Sequence, residues 1–107
     1  MLYTVVIDYR GGTYISQVHA RSVADALKIW AAALDTAAIG GLGPQRKVEL
    51  IDDIKEQLSL GQEPALLDGL VNAWCASALT SGGLALINIV ATKTHTPGPA
   101  RWSRKAR

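Results

Sequence analysis

The apolar pattern of this chain changes period sharply at Arg21 and Ser22, and that change dictates a hairpin followed by a helix. Ahead of it, "LYTVVIDY" (Leu2 to Tyr9) and "TYISQVHA" (Thr13 to Ala20) are rich in β-branched and aromatic residues, the composition of strands. Arg10, Gly11 and Gly12 between them read as a hairpin turn, since glycines supply the positive φ that tight hairpins need. Along the second strand Tyr14, Ser16, Val18 and Ala20 point one way and Ile15, Gln17 and His19 the other, so one face of the pair can be buried and the other left wet. Behind the change, Val23, Ala26, Leu27, Trp30, Ala33 and Leu34 recur at the spacing of one helical face. The spacing predicts a helix from about Val23 to Leu34, capped by Ser22, with Asp25 placed to favour the positive end of its dipole.

The rest of the chain repeats the two patterns in reverse order. "AAIGGLGPQ" (Ala37 to Gln45) reads as a loop. "QRKVELIDDIKEQL" aligns Val48, Ile51, Ile54 and Leu58 as a second helical face. "GQEPALLDG" (Gly61 to Gly69) is a connection. "LVNAWCASAL" and "LALINIVAT" then form two strands around a turn at Ser81, Gly82 and Gly83. The last strand, Leu84 to Thr92, is apolar on both faces except at Asn88, which suits the middle of a sheet or an edge that something else covers. The fold expected is α+β, a four-stranded antiparallel sheet with two helices on one face in the order β-β-α-α-β-β.

At 107 residues and 49% apolar content, the chain suits one domain with one core. We expect that domain over residues 1–94 and a disordered tail over 95–107. Charge divides the same way. All nine acids precede residue 93, against six bases there, whereas Lys93, Arg101, Arg104, Lys105 and Arg107 follow with no acid among them. No apolar run approaches the roughly 20 residues that cross a bilayer. The start lacks a basic stretch before its apolar run, so a cytoplasmic location is expected. Cys75 is the single cysteine, which leaves no internal disulfide and no structural zinc site.

The opening hairpin and "SVADALKIWAAAL" together resemble the N-terminal part of HicB-type antitoxins, in which a strand pair leads into a Ser-capped helix with an "AL" pair. The resemblance spans residues 2 to 34. It differs in that Ala20, Arg21 and Ser22 run straight into the helix, where that family usually inserts a turn and a third strand. It implies a toxin-neutralising role without operator binding.

No residue set reads as catalytic, cofactor-binding or metal-binding. His19 suits an exposed strand histidine, and Cys75 a buried thiol. Asp52 and Asp53 diverge by about 100° on a helix and cannot converge as a carboxylate pair. "GGLGP" (Gly40 to Pro44) lacks the Gly-Lys-Ser/Thr ending of a phosphate loop and follows a helix rather than a strand. Asn72 and Asn88 fall in the last two strands and could pair across the hairpin. The function expected is a non-enzymatic interaction protein of the immunity or antitoxin type. Asp25, Glu49, Asp52, Asp53 and Glu56 would form an acidic helical surface for a basic partner such as a nuclease toxin, with Trp74 as an anchor. A homodimer through the Leu84 to Thr92 strand is the other protein partner considered. The alternative function is nucleic-acid binding by Lys93, Arg101, Trp102, Arg104, Lys105 and Arg107, with Trp102 stacking on a base.

Overall fold

A computed structural model describes residues 1–93. Its elements are β1 (Leu2–Tyr9), β2 (Gly12–His19), α1 (Val23–Ala32), α2 (Gly43–Ser59), β3 (Ala65–Leu66), β4 (Ala73–Thr80) and β5 (Gly83–Thr92). The architecture is α+β with an antiparallel sheet. The sheet has five strands rather than four, in the spatial order β2-β1-β5-β4-β3. The additional strand is two residues long and lies in the segment read as a plain connection. Ala65 and Leu66 pair with Cys75 and Trp74, and nothing in so short a run shows a period of two.

The first hairpin closes as its residues require. Arg10 and Gly11 both have positive φ, 50° and 82°, the pattern of a type I′ turn that matches the twist of the flanking strands. Tyr3, Val5, Ile7 and Tyr9 alternate inward along β1, and the registers set Ile87 and Ile89 of β5 beside Ile7 and Val5, with Ala85 buried on the same face. Both helices cover this one face. α1 turns Ala26, Leu27, Trp30 and Ala31 into the core, and α2 turns Leu50 and Ile54.

Helix boundaries and faces differ from the expectation in three ways. α1 stops at Ala32, two residues early, because Leu34 bonds back to Ala31 in a tighter turn. α2 starts at Gly43, because Pro44 fits the first turn, where its missing N–H is not needed. Val48 is exposed and Leu50 takes the core position instead, so the inner face of α2 is Leu50 and Ile54 flanked by the half-buried Ile51 and Leu58. The glycine-rich connection between the helices also contributes to the core, since Ile39 and Leu42 are buried.

β5 is the central strand, bonded to β1 on one side and β4 on the other. It is therefore not a free edge, and a homodimer cannot form through its backbone. The burial of Ala85, Ile87 and Ile89 follows from that central position, while Leu84 and Leu86 on its other face stay exposed.

Candidate functional site: the open face of the sheet

The five proposed acidic contacts separate into three groups. Ser22 Oγ accepts from the Asp25 backbone N–H at 3.1 Å, and the Asp25 carboxylate takes an ion pair from the exposed Arg21, also at 3.1 Å. Glu49 and Asp53 turn toward the sheet edge. Asp53 Oδ2 accepts from the Leu79 N–H at 2.7 Å, and Glu49 Oε1 accepts from the Ser81 N–H at 2.7 Å. One turn further on, Gln57 Nε2 donates to the Ser77 carbonyl at 2.8 Å and to Asp53 Oδ2 at 3.2 Å.

Residues 49, 53 and 57 lie four apart, on one stripe of α2, and the groups they engage belong to every second residue of β4 and its turn. These are the groups that face away from β5. The first half of the same edge is taken by β3 and by the Leu67 N–H, which bonds the Ala73 carbonyl. A sheet edge left bare would invite another strand; here a short strand and a ladder of helix side chains occupy it. The acidic surface expected on α2 thus shrinks to Asp52 and Glu56, which are exposed. The i, i+4, i+8 spacing of Glu49, Asp53 and Gln57 was visible in the sequence, but not the strand it would meet.

The bond to Ser81 holds the Glu49 carboxyl below its ordinary 4.5, with help from Ser81's side chain, Arg46 and Gln45, against a smaller opposing effect of desolvation. A carboxyl held low stabilises the fold above its unfolded value of 4.5 and loses that contribution as pH falls through the lower folded value. Melting temperatures taken at pH 7 and again at pH 3 should therefore differ less in Glu49→Gln than in the parent chain. An equal difference in both would detach Glu49 from the acid response.

Trp74 is half-buried on the helix side of β4, edge-on to Tyr3 at 6.2 Å between ring centres. It packs at the edge of the core. Asn72 precedes β4 and is exposed, and its carbonyl accepts from Ala91 N–H. The residue across from Asn88 is Cys75, so the two asparagines do not pair. Cys75 is half-buried on the open face rather than enclosed in the core. His19 is on β2, with β1 and β5 between it and Cys75, so the two cannot act together. Of the six residues proposed for nucleic acid, Lys93 is exposed at the end of β5, and Arg101, Trp102, Arg104, Lys105 and Arg107 lie outside the described residues, as does the expected tail.

A cleft of about 280 Å³ beside β2 is lined mainly by Ile7, Val18, Trp30, Leu34 and Ile39. Its polar neighbours serve the fold: the Tyr14 hydroxyl accepts from the Gly40 N–H at 3.0 Å, and Asp35 accepts from Ala37 N–H at 2.9 Å. Among the described residues no group of three or more His, Cys, Asp and Glu side chains could hold a metal ion, and no helix is long and apolar enough to cross a membrane.

The largest unexplained feature is the other face of the sheet, which no helix covers. The registers give its composition row by row. Ile15, Val6, Asn88, Cys75 and Ala65 make the one row that crosses all five strands. Thr13, Asp8, Leu86 and Ser77 lie on one side of it, with Leu84 and Leu79 beyond. Gln17, Thr4, Val90 and Ala73 lie on the other side. Ile15, Leu79, Leu84 and Leu86 are 69%, 63%, 52% and 49% exposed. Single exposed aliphatics are ordinary, but a cluster on one flat face marks a contact surface. The sequence carried the signal in the apolar residues on both sides of β5. What it lacked was the location of the helices. Comparison with family models, with characterised proteins and with solved structures finds no match to this chain.

Proposed function

We propose that this chain is a non-enzymatic interaction protein that works through the open face of its sheet, and that the interaction serves to neutralise a protein toxin. The observation that carries the reading is the cluster of Ile15, Leu79, Leu84 and Leu86 on a face with no covering layer. A two-layer domain buries one side of its sheet, and four large aliphatic side chains gathered on the other are stabilised only when something covers them. The resemblance of residues 2 to 34 to HicB-type antitoxins points to the same role. Asp52 and Glu56, the acids left free on α2, would add attraction for a basic partner.

The test is growth protection. The chain, co-expressed with the product of an adjacent gene of its own genome, should relieve the arrest which that product causes. Leu84→Lys together with Leu86→Lys should abolish protection while leaving the melting temperature of the purified chain in dilute solution nearly unchanged, because neither side chain lies in the core. Full protection by the double variant would remove the open face from the function. If the parent chain gives no protection, the toxin-neutralising reading fails.

A further inference from the structure

We propose that the open face is closed by a second copy of the same chain, the two sheets packing face to face about a two-fold axis that passes through Asn88. The proposal rests on the reading of this face as the interface through which the chain works, names a second copy as its occupant, and leaves a toxin to the outer helical surface that carries Asp52 and Glu56. Three observations converge on it.

Asn88 stands at the centre of the face. It is on the middle strand and in the one row of this face that spans all five strands. It is half-buried between Val6 and Cys75, and its side chain makes no hydrogen bond among the described residues. A carboxamide carries both donors and acceptors. Two of them related by a two-fold axis can therefore satisfy each other reciprocally, and an unrelated apolar partner would leave both unpaired. The roughly 10 Å between face-packed sheets is what two extended Asn side chains and one hydrogen bond span. A lone buried Asn at a symmetric interface is a known means of fixing register.

The area is adequate. Four full strands about 4.8 Å apart, each some eight residues long at about 3.3 Å per residue, present roughly 500 Å² per copy in projection. Two copies reach the roughly 1,000 Å² that a specific interface needs, before the relief of the side chains is added.

Charge is compatible as well. The acid and the histidine of this face, Asp8 and His19, stand at opposite ends of the β1–β2 hairpin. A two-fold axis lying across the strands brings the Asp8 end of one copy over the His19 end of the other. The assembly would be a four-layer sandwich with helices outside, presenting Asp52 and Glu56 twice on its outer surfaces.

The experiment is sedimentation equilibrium on the full chain at neutral pH. The expected mass is twice the chain mass of 11.4 kDa. Asn88→Asp keeps the shape and sets two carboxylates against each other at the axis, so its dissociation constant should rise by roughly 100-fold or more. Asn88→Leu removes the amide without adding charge and should remain associated. Circular dichroism confirms that each variant is folded. A parent chain that sediments as a monomer at 100 µM overturns the proposal, and so does Asn88→Asp that associates as tightly as the parent. These outcomes are separable from failure of the broader reading: a monomer whose Leu84→Lys, Leu86→Lys variant loses growth protection keeps the face as an interface and assigns it to another protein.

Discussion

Ile87→Ala should lower the unfolding free energy by about 2–5 kcal/mol, the range for truncating a large aliphatic side chain in a closed core. Ile87 is fully buried, with Ile7 beside it on β1 and Ala76 beside it on β4, so the cavity left behind has little means of collapsing. Total stabilities of small domains are about 5–15 kcal/mol, and each kcal/mol moves the melting temperature of a domain this size by about 4–8 °C. The neighbouring residue provides the contrast. Leu86 is on the opposite face and half-exposed, so Leu86→Ala in dilute solution should cost no more than about 0.5 kcal/mol. Guanidinium melts of both variants at two protein concentrations would measure this directly. A similar large loss at both positions in dilute solution would mean that both faces are enclosed within one chain. A Leu86 penalty that appears only at high concentration would report closure of the face between copies.

That contrast also marks where the sequence was readable and where it was not. The first hairpin was legible because Gly11 and Gly12 mark a tight turn, although the turn itself falls on Arg10 and Gly11 and Gly12 opens β2. Helix α1 was legible because Ser22, Asp25 and the Ala26-Leu27-Trp30 face agree with one another. The α+β class followed from the alternation of periods. The fifth strand was not legible, since two residues carry no period and Ala65 and Leu66 are ordered by Cys75 and Trp74, which come later in the chain. The inner face of α2 was misassigned at Val48 because the helix carries apolar residues on more than one side. Only the position of the sheet decides that Leu50 is inside.

The acidic candidates show the same limit more plainly. A carboxylate on a helix reads alike whether it meets solvent, a partner or the chain's own backbone. Glu49 and Asp53 meet the backbone, at Ser81 and Leu79. The arrangement leaves β2 and the two-residue β3 as the outer strands of the sheet, while the β4 edge is occupied along its length. The surface available to a partner is therefore set less by where charge was placed than by where the helices left apolar side chains unopposed.

Gly82→Ala should destabilise the fold by about 1–3 kcal/mol, the usual cost of forcing one extra methyl into a packed site. The cost does not come from the backbone, because Gly82 is not among the glycines held at positive φ. It comes from Tyr9. A Cβ on Gly82 would collide with the Tyr9 hydroxyl and come within 2.9 Å of Arg46 Cζ. The arginine is long and half-exposed and can swing aside. The tyrosine cannot, since it is 1% exposed and its hydroxyl is hydrogen-bonded to Thr80 Oγ1 at 2.8 Å. The same turn is tied from the other side by Arg10, whose Nη1 donates to the Gly82 carbonyl at 2.8 Å, so the turn itself is not free to retreat. Tyr9→Phe removes the colliding atom. Alone it should cost about 1 kcal/mol for the lost hydrogen bond, tempered because Thr80 Oγ1 also bonds Gly83 O and Gly82 N. Together with Gly82→Ala it should cost less than the sum of the two single changes, the coupling expected of side chains that share one space. Strict additivity in a double-mutant cycle of urea unfolding would place the strain elsewhere. Recovery in the double variant would show that the two hairpin turns at this end of the sheet are held together by contact between Tyr9 and Gly82.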